Sequence, residues 1–178
     1  TTCLEYLKNI RGHKVFTSHG VCHDLEKANE GADRYVAVSE EVAEASEIST
    51  IIRNGVDCDR FIPVEPIKST PTRVLSMCQG KDARDKVKAA CEQLGYEFEW
   101  VERDRFDVEK HIQKADIVVS LGRGAIEAMA CGKAVFVYDS RSYMDEYGDG
   151  MITKDNWQEL ARCNFSGRAR KLKYSVDD

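Results

Sequence analysis

Asp116-Ile117-Val118-Val119-Ser120-Leu121-Gly122-Arg123-Gly124-Ala125-Ile126-Glu127-Ala128-Met129-Ala130-Cys131-Gly132-Lys133-Ala134-Val135-Phe136-Val137-Tyr138 reads as one crossover. An apolar, β-branched run ends at Ser120, two glycines mark a turn, and a helix-length segment over 124–131 precedes a second apolar run at 134–138. A strand, a helix and a strand in so short a stretch form a βαβ unit, whose parallel strands are buried on both faces and so read as continuous apolar runs. The helix is apolar nearly all round, with Glu127 as the charged residue in its span. Free amides at such a helix start bind phosphate, and a carboxylate one turn in accepts hydrogen bonds from a ribose diol. A helix-start cap at Glu127, with glycines that only allow close packing, explains the same letters. The pattern alone leaves both readings open.

Working outward, the same alternation recurs. Before the crossover, 15–17 predicts a strand, 24–29 a short helix and 34–38 a strand. Ser39 then predicts an N-cap for a helix to about Glu47, because its hydroxyl satisfies an orphan amide and Glu40 and Glu41 favour the positive end of the helix dipole. A further strand is expected at 50–52, ending at Asn54-Gly55. Residues 58–72 carry all three prolines and read as a linker. Beyond it, strands are expected at 73–77, 98–101, 117–120 and 134–138, with helices at 82–94, 107–114 and 124–131, and Gly95 closes the first of these. The division is therefore 1–57, a linker at 58–72, 73–163, and a tail at 164–178 whose Arg168, Arg170, Lys171 and Lys173 form a solvated basic cluster. The fold class expected is α/β, a Rossmann-like parallel sheet flanked by helices.

Composition narrows the function classes. A chain of 178 residues with 42% hydrophobic side chains can bury a sizeable core, about 70% of its unfolded surface at this size, which excludes intrinsic disorder. A net charge of -5 from 26 basic and 31 acidic residues argues against general nucleic-acid binding, which needs a concentrated basic face. The apolar runs fall far short of the roughly 20 residues that span a bilayer, and no charged-then-apolar leader opens the chain. Seven scattered cysteines without a C-x-x-C pair fit reduced thiols in the cytoplasm.

Glu127-Ala128-Met129-Ala130-Cys131-Gly132 before a buried strand resembles the nucleotide-sugar donor motif of retaining glycosyltransferases with the two-Rossmann GT-B architecture, glycosyltransferase family 4 (group 1) in particular. Asn54-Gly55-Val56-Asp57-Cys58-Asp59-Arg60-Phe61-Ile62-Pro63 is similar to the Asn-Gly-Val-Asp and Phe-x-Pro pattern at that family's interdomain hinge. Phe16-Thr17-Ser18-His19-Gly20 and the stretch from Ala32 to Glu40 resemble the last strands of its acceptor domain, so the resemblance runs from about residue 14 to 170. It implies that 1–57 is the remnant of a truncated acceptor domain, 58–72 the hinge and 73–163 the donor domain, in a fragment of a longer enzyme.

The resemblance also implies roles. Glu127 would hold the donor ribose, Gly122, Arg123 and Gly124 would offer amides to the diphosphate, and His19 would be the catalytic-cleft residue near the transferred sugar. Lys81 and Arg84, with Lys86 behind them, stand in the stretch of the family's basic pair that stabilises the leaving diphosphate. The family's usual first glutamate, eight positions before Glu127, is replaced by Val119. The implied reaction moves a sugar from a UDP-, GDP- or ADP-sugar to a hydroxyl of a saccharide or lipid-linked acceptor, with retention and without metal or cofactor. Nucleic acid is no partner, and a peripheral membrane contact is compatible with the reading. The isolated fragment would bind donor weakly and turn nothing over. Two other classes remain, an isomerase of the sugar-nucleotide 2-epimerase kind and a non-catalytic nucleotide-sugar-binding module.

Competing motifs carry less. Asp57-Cys58-Asp59 is a D-x-D, but it falls inside the hinge pattern rather than at a strand end. His19-x-x-Cys22-His23 lacks a second ligand pair for zinc. Gly80-Lys81-Asp82 lacks the first glycine and the Ser/Thr of a P-loop. Trp100 and Trp157 read as core or helix-face residues, and Tyr138-Asp139 as a strand end facing the cleft.

Overall fold

The computed structural model describes residues 11–21, 31–66, 68–102, 105–141 and 146–178. The helix expected at 24–29, with Cys22 and His23, lies outside the described residues. The chain divides into two compact units, one of residues 1–54 with 162–164 and one of 55–161 with 165–178.

In the first unit β1 (Val15–Ser18) pairs in parallel with β2 (Arg34–Ala37), Val15 opposite Arg34 and Ser18 opposite Ala37. Ser39 caps α1 (Glu40–Ser46) by accepting from the Val42 amide at 3.4 Å, and Glu47 closes the helix with a left-handed φ of 54°. Ala37, Val38, Val42, Ala43 and Ile48 pack together as the core of this unit. The strand expected at 50–52 is a single parallel bridge, Ala37 to Ile51. Its ladder stops there because Ile51 and Ile52 are exposed and Arg53 turns to pair with Glu40 at 2.6 Å.

The second unit runs β3 (Arg73–Ser76), α2 (Lys81–Leu94), β4 (Glu97–Trp100), α3 (Val108–Lys114), β5 (Ile117–Ser120), α4 (Gly122–Ala130), β6 (Ala134–Asp139), β7 (Tyr147–Met151) and α5 (Trp157–Arg162). Its sheet has the order β4-β3-β5-β6-β7, parallel except for β7. This is an α/β fold of Rossmann-like type. The strand β7 and the helix α5 are additions to the sequence reading. The two glycines of Tyr147-Gly148-Asp149-Gly150-Met151 hide the strand, and Asn156 three residues before Glu159 was the available start signal for the helix.

The two sheet faces are covered unequally. One core joins Leu75, Val118, Val135 and Val137 to Ile112 of α3, Ala125 and Ala128 of α4, and Leu160 of α5. The opposite cluster joins Val74, Val119 and Tyr138 to Ala83 and Cys91 of α2. Phe61, from the stretch read as a linker, is buried in the first core, and Pro63 lies against Gly132. Because β3 connects to β4 on one side and the chain then returns to β5 on the other, the direction of winding reverses between β3 and β5. Ligands of open α/β sheets bind at such a point, outside the carboxyl ends of the strands.

Candidate functional site

Two turns flank this reversal, 77–80 after β3 and 121–122 after β5. At the second, Leu121 is extended and Gly122 has a left-handed φ of 55°, which a side chain would strain by about 1 kcal/mol. The helix starts two residues earlier than 124, so it includes Arg123 and places Glu127 in its second turn rather than its first. Gly124 is pressed onto the strand it follows. A Cβ there would lie 2.4 Å from the Ser120 hydroxyl oxygen and 3.1 Å from the Met77 methyl, so this glycine brings the two turns together.

Glu127 is buried, with 8% of its surface exposed. Its Oε1 accepts from Arg123 Nε at 2.8 Å, one helical turn back, while the Arg123 side chain is 69% exposed. The spacing of four residues was a legible signal for this pair. An exposed arginine is readily exchanged for a ligand donor, whereas the buried carboxylate is fixed. The Gly122 amide, assigned to the diphosphate by resemblance, already donates to the Phe165 carbonyl at 2.8 Å. The Arg123 and Gly124 amides belong to the first turn, where a helix supplies no acceptor.

At the first turn, Asp139 ends its strand at the carboxyl edge, as expected, but it is buried, and its oxygens accept from the amides of Gln79 at 3.1 Å, Gly80 at 3.0 Å and Ser140 at 2.8 Å. Arg141 Nε adds a fourth contact at 3.2 Å, and the Ser140 hydroxyl accepts from the Ala83 amide at 3.0 Å. The start of α2 is thus filled from β6, across some sixty positions of sequence that no local pattern connects.

The basic residues of α2 separate. Lys81 is exposed in the first turn, and Arg84 lies 4.6 Å from the centroid of Trp100 while pairing with Asp85. Trp100 in turn donates from its indole to the Cys78 carbonyl at 3.1 Å. Lys86 points away from both turns. It donates to Glu146 and to the Tyr174 carbonyl, and Tyr138 also donates its hydroxyl to Glu146. Burial alone would raise the Glu146 pKa, but the Lys86 and Tyr138 hydrogen bonds hold it below the ordinary value. The Tyr138 phenol is pushed up by burial and by that carboxylate. Cys78, behind the first turn, has a pKa raised to about 12 by burial and by Asp139, so it is no nucleophile.

Val119 lies on β5 and is buried in the cluster beneath α2. A glutamate at this position would be desolvated among Val74, Cys78 and Tyr138 rather than presented to a ligand. His19 is exposed just after β1 in the first unit, whereas Glu127, Gly122, Arg123, Gly124, Lys81 and Arg84 all belong to the second. Asp57 makes an Asx turn, accepting from the Asp59 and Arg60 amides at 3.0 and 3.2 Å, and Trp157 is half exposed on α5. Among the described residues no group of three or more His, Cys, Asp or Glu could hold a metal, and no helix is long and apolar enough to cross a membrane.

No protein-family model, curated protein or solved structure matches the chain.

Proposed function

We propose that the second unit binds the nucleoside diphosphate of a sugar donor and is the donor half of a retaining, metal-independent GT-B glycosyltransferase of the cytoplasm. The observation that carries this reading is Glu127, a buried carboxylate one turn behind a glycine-built helix start where the winding of the sheet reverses. In this reading a ribose diol replaces Arg123 on Glu127, and the released guanidinium and the amides of Arg123 and Gly124 meet the diphosphate. Lys81 and Arg84 stand in the first turn of α2, beside the adjoining turn, where positive charge would offset the charge that develops on the leaving group. His19 would act from the acceptor side, and the acceptor would be a saccharide or lipid-linked hydroxyl.

A second reading, a non-catalytic nucleotide-sugar-binding module, fits the same site, because Val119 lies beneath α2 and brings no polar contact to a sugar ring. Calorimetric titration with UDP, GDP and ADP, repeated on Glu127→Ala, tests what both readings share. One nucleotide is expected to bind, and the substitution to weaken it about ten-fold or more, as for the loss of charge-assisted hydrogen bonds. Equal binding by the variant would remove Glu127 from the site. Transfer in the presence of an acceptor hydroxyl then separates the enzyme from the binding module.

A further inference from the structure

The sheet face covered by α2 holds a second site, separate from the turns at the carboxyl edge. Among the described residues α2 is the helix that packs on this face, and over β6 and β7 its place is taken by the segment 174–178, whose Tyr174 packs edge-on against Phe136 at 5.0 Å and Tyr138 at 5.8 Å. This seat is shaped for the ring. A Cβ at Gly148 would stand 2.7 Å from the Tyr174 ring, and one at Gly150 would stand 2.8 Å from its hydroxyl. Lys86 fastens the same segment by donating to the Tyr174 carbonyl at 3.2 Å while it pairs with Glu146.

Between α2 and this fastened segment lies a cavity of about 190 Å³. Its walls include Val87, Ala90 and Cys91 of α2, Phe136 of the sheet, and Tyr174 and Val176 of the chain end. The space exists because α2 presents Ala90 and Cys91, two small side chains, where larger ones would close the gap to the sheet. Among the described residues, the two charged side chains at the wall are already committed. Lys86 is paired with Glu146, and Asp178 accepts from the amide and hydroxyl of Ser175 at 2.7 and 2.9 Å. An ionised ligand would therefore be desolvated without a partner, while an uncharged one meets apolar walls, the rings of Tyr96, Phe136, Tyr138 and Tyr174, and a thiol. An apolar cavity of about 150 Å³ already accepts benzene, so this one has room for a bicyclic ring.

We propose that this cavity is a binding site for a small, uncharged aromatic molecule, with the chain end 174–178 as its outer wall. Nothing in it depends on the nucleotide reading of the carboxyl edge. The test is an NMR titration of the whole chain with indole, and in parallel with the anion naphthalene-2-sulfonate. Indole is expected to shift the amides of 87–94, Phe136 and Tyr174 and to saturate with a Kd below about 1 mM, with the anion at least ten-fold weaker. Ala90→Leu fills the cavity from the helix and should weaken indole ten-fold or more at unchanged Tm. Val176→Trp fills it from the chain end, should do the same, and decides the matter if the helix variant fails to fold. Shifts that never saturate, shifts elsewhere on the unit, equal binding of the anion, or unchanged indole affinity in a folded cavity-filling variant would each overturn the proposal.

Discussion

Helix α2 opens behind Gly80 and helix α4 opens on Gly122, both at the carboxyl edge of the same sheet, and they are finished in opposite ways. At α2 the amides of Gln79 and Gly80 are held by the buried carboxylate of Asp139, and Ser140 takes that of Ala83. At α4 a neutral main-chain carbonyl, that of Phe165, takes the Gly122 amide, and the helix's own carboxylate, Glu127, sits a turn inside. A negative charge already placed on a helix start satisfies its dipole and repels a phosphate, whereas a neutral cap leaves the positive end unspent. Gly80-Lys81-Asp82, which lacks the first glycine and the Ser/Thr of a P-loop, opens the helix that receives its anion from β6.

Four substitutions or conditions would break or sharpen this contrast. The largest effect is expected for Gly80→Ala, whose Cβ would sit 1.3 Å from the Ser140 carbonyl oxygen. Backbone must move, and the loss should be about 3 kcal/mol, read as a lower urea midpoint. Asp139→Asn keeps the shape but removes the charge that holds three amides, and should cost about 1.5 to 3 kcal/mol in the same measurement. It should also open α2 to anions, seen as new phosphate-dependent stabilisation. Gly124→Ala should cost about 1 kcal/mol, because the Ser120 hydroxyl 2.4 Å away belongs to a side chain that can rotate, while nucleotide affinity falls more than stability does.

The smallest effect is a pH dependence remote from both turns. Asp116 is buried, which raises its pKa, but the hydrogen bonds from the Thr72 and Arg73 amides, with Lys68 nearby, outweigh burial and hold it below its unfolded value of 3.8. Its contribution is therefore complete above that value and is lost as pH falls through the lower folded one. Asp149 runs the other way. Burial raises its pKa despite the amides of Gly167 and Arg170, so its protonation relieves a penalty as pH falls. Asp116→Asn should flatten the acid limb of the stability curve below about pH 4, and Asp149→Asn should leave that loss in place.

The contrast also shows where the sequence was readable. The crossover at 117–138 was legible because each signal is local: apolar runs of strand length, glycines at the turn, and a helix-length apolar span between them. Ser39 was legible for the same reason, since a cap acts within three residues. The start of α4 was placed two residues late because Gly122 and Gly124 look like loop residues when the packing on Ser120 is not visible. The fate of Asp139 was invisible, as its partners lie near residue 80 and only the sheet order brings them together. Position 119 looked like a missing ligand residue when counted back from Glu127, yet the pleat turns it beneath α2.

The most direct measurement is a two-dimensional amide spectrum of the chain during titration with UDP, GDP and ADP in turn. If α4 is the anion site, the amides of Arg123 and Gly124 shift most and saturate together, those of Gln79 and Gly80 stay in place, and Glu127→Ala moves saturation to a concentration about ten-fold or more higher. Saturating shifts centred on Gln79, Gly80 and Ala83, with Arg123 and Gly124 unmoved, would contradict it.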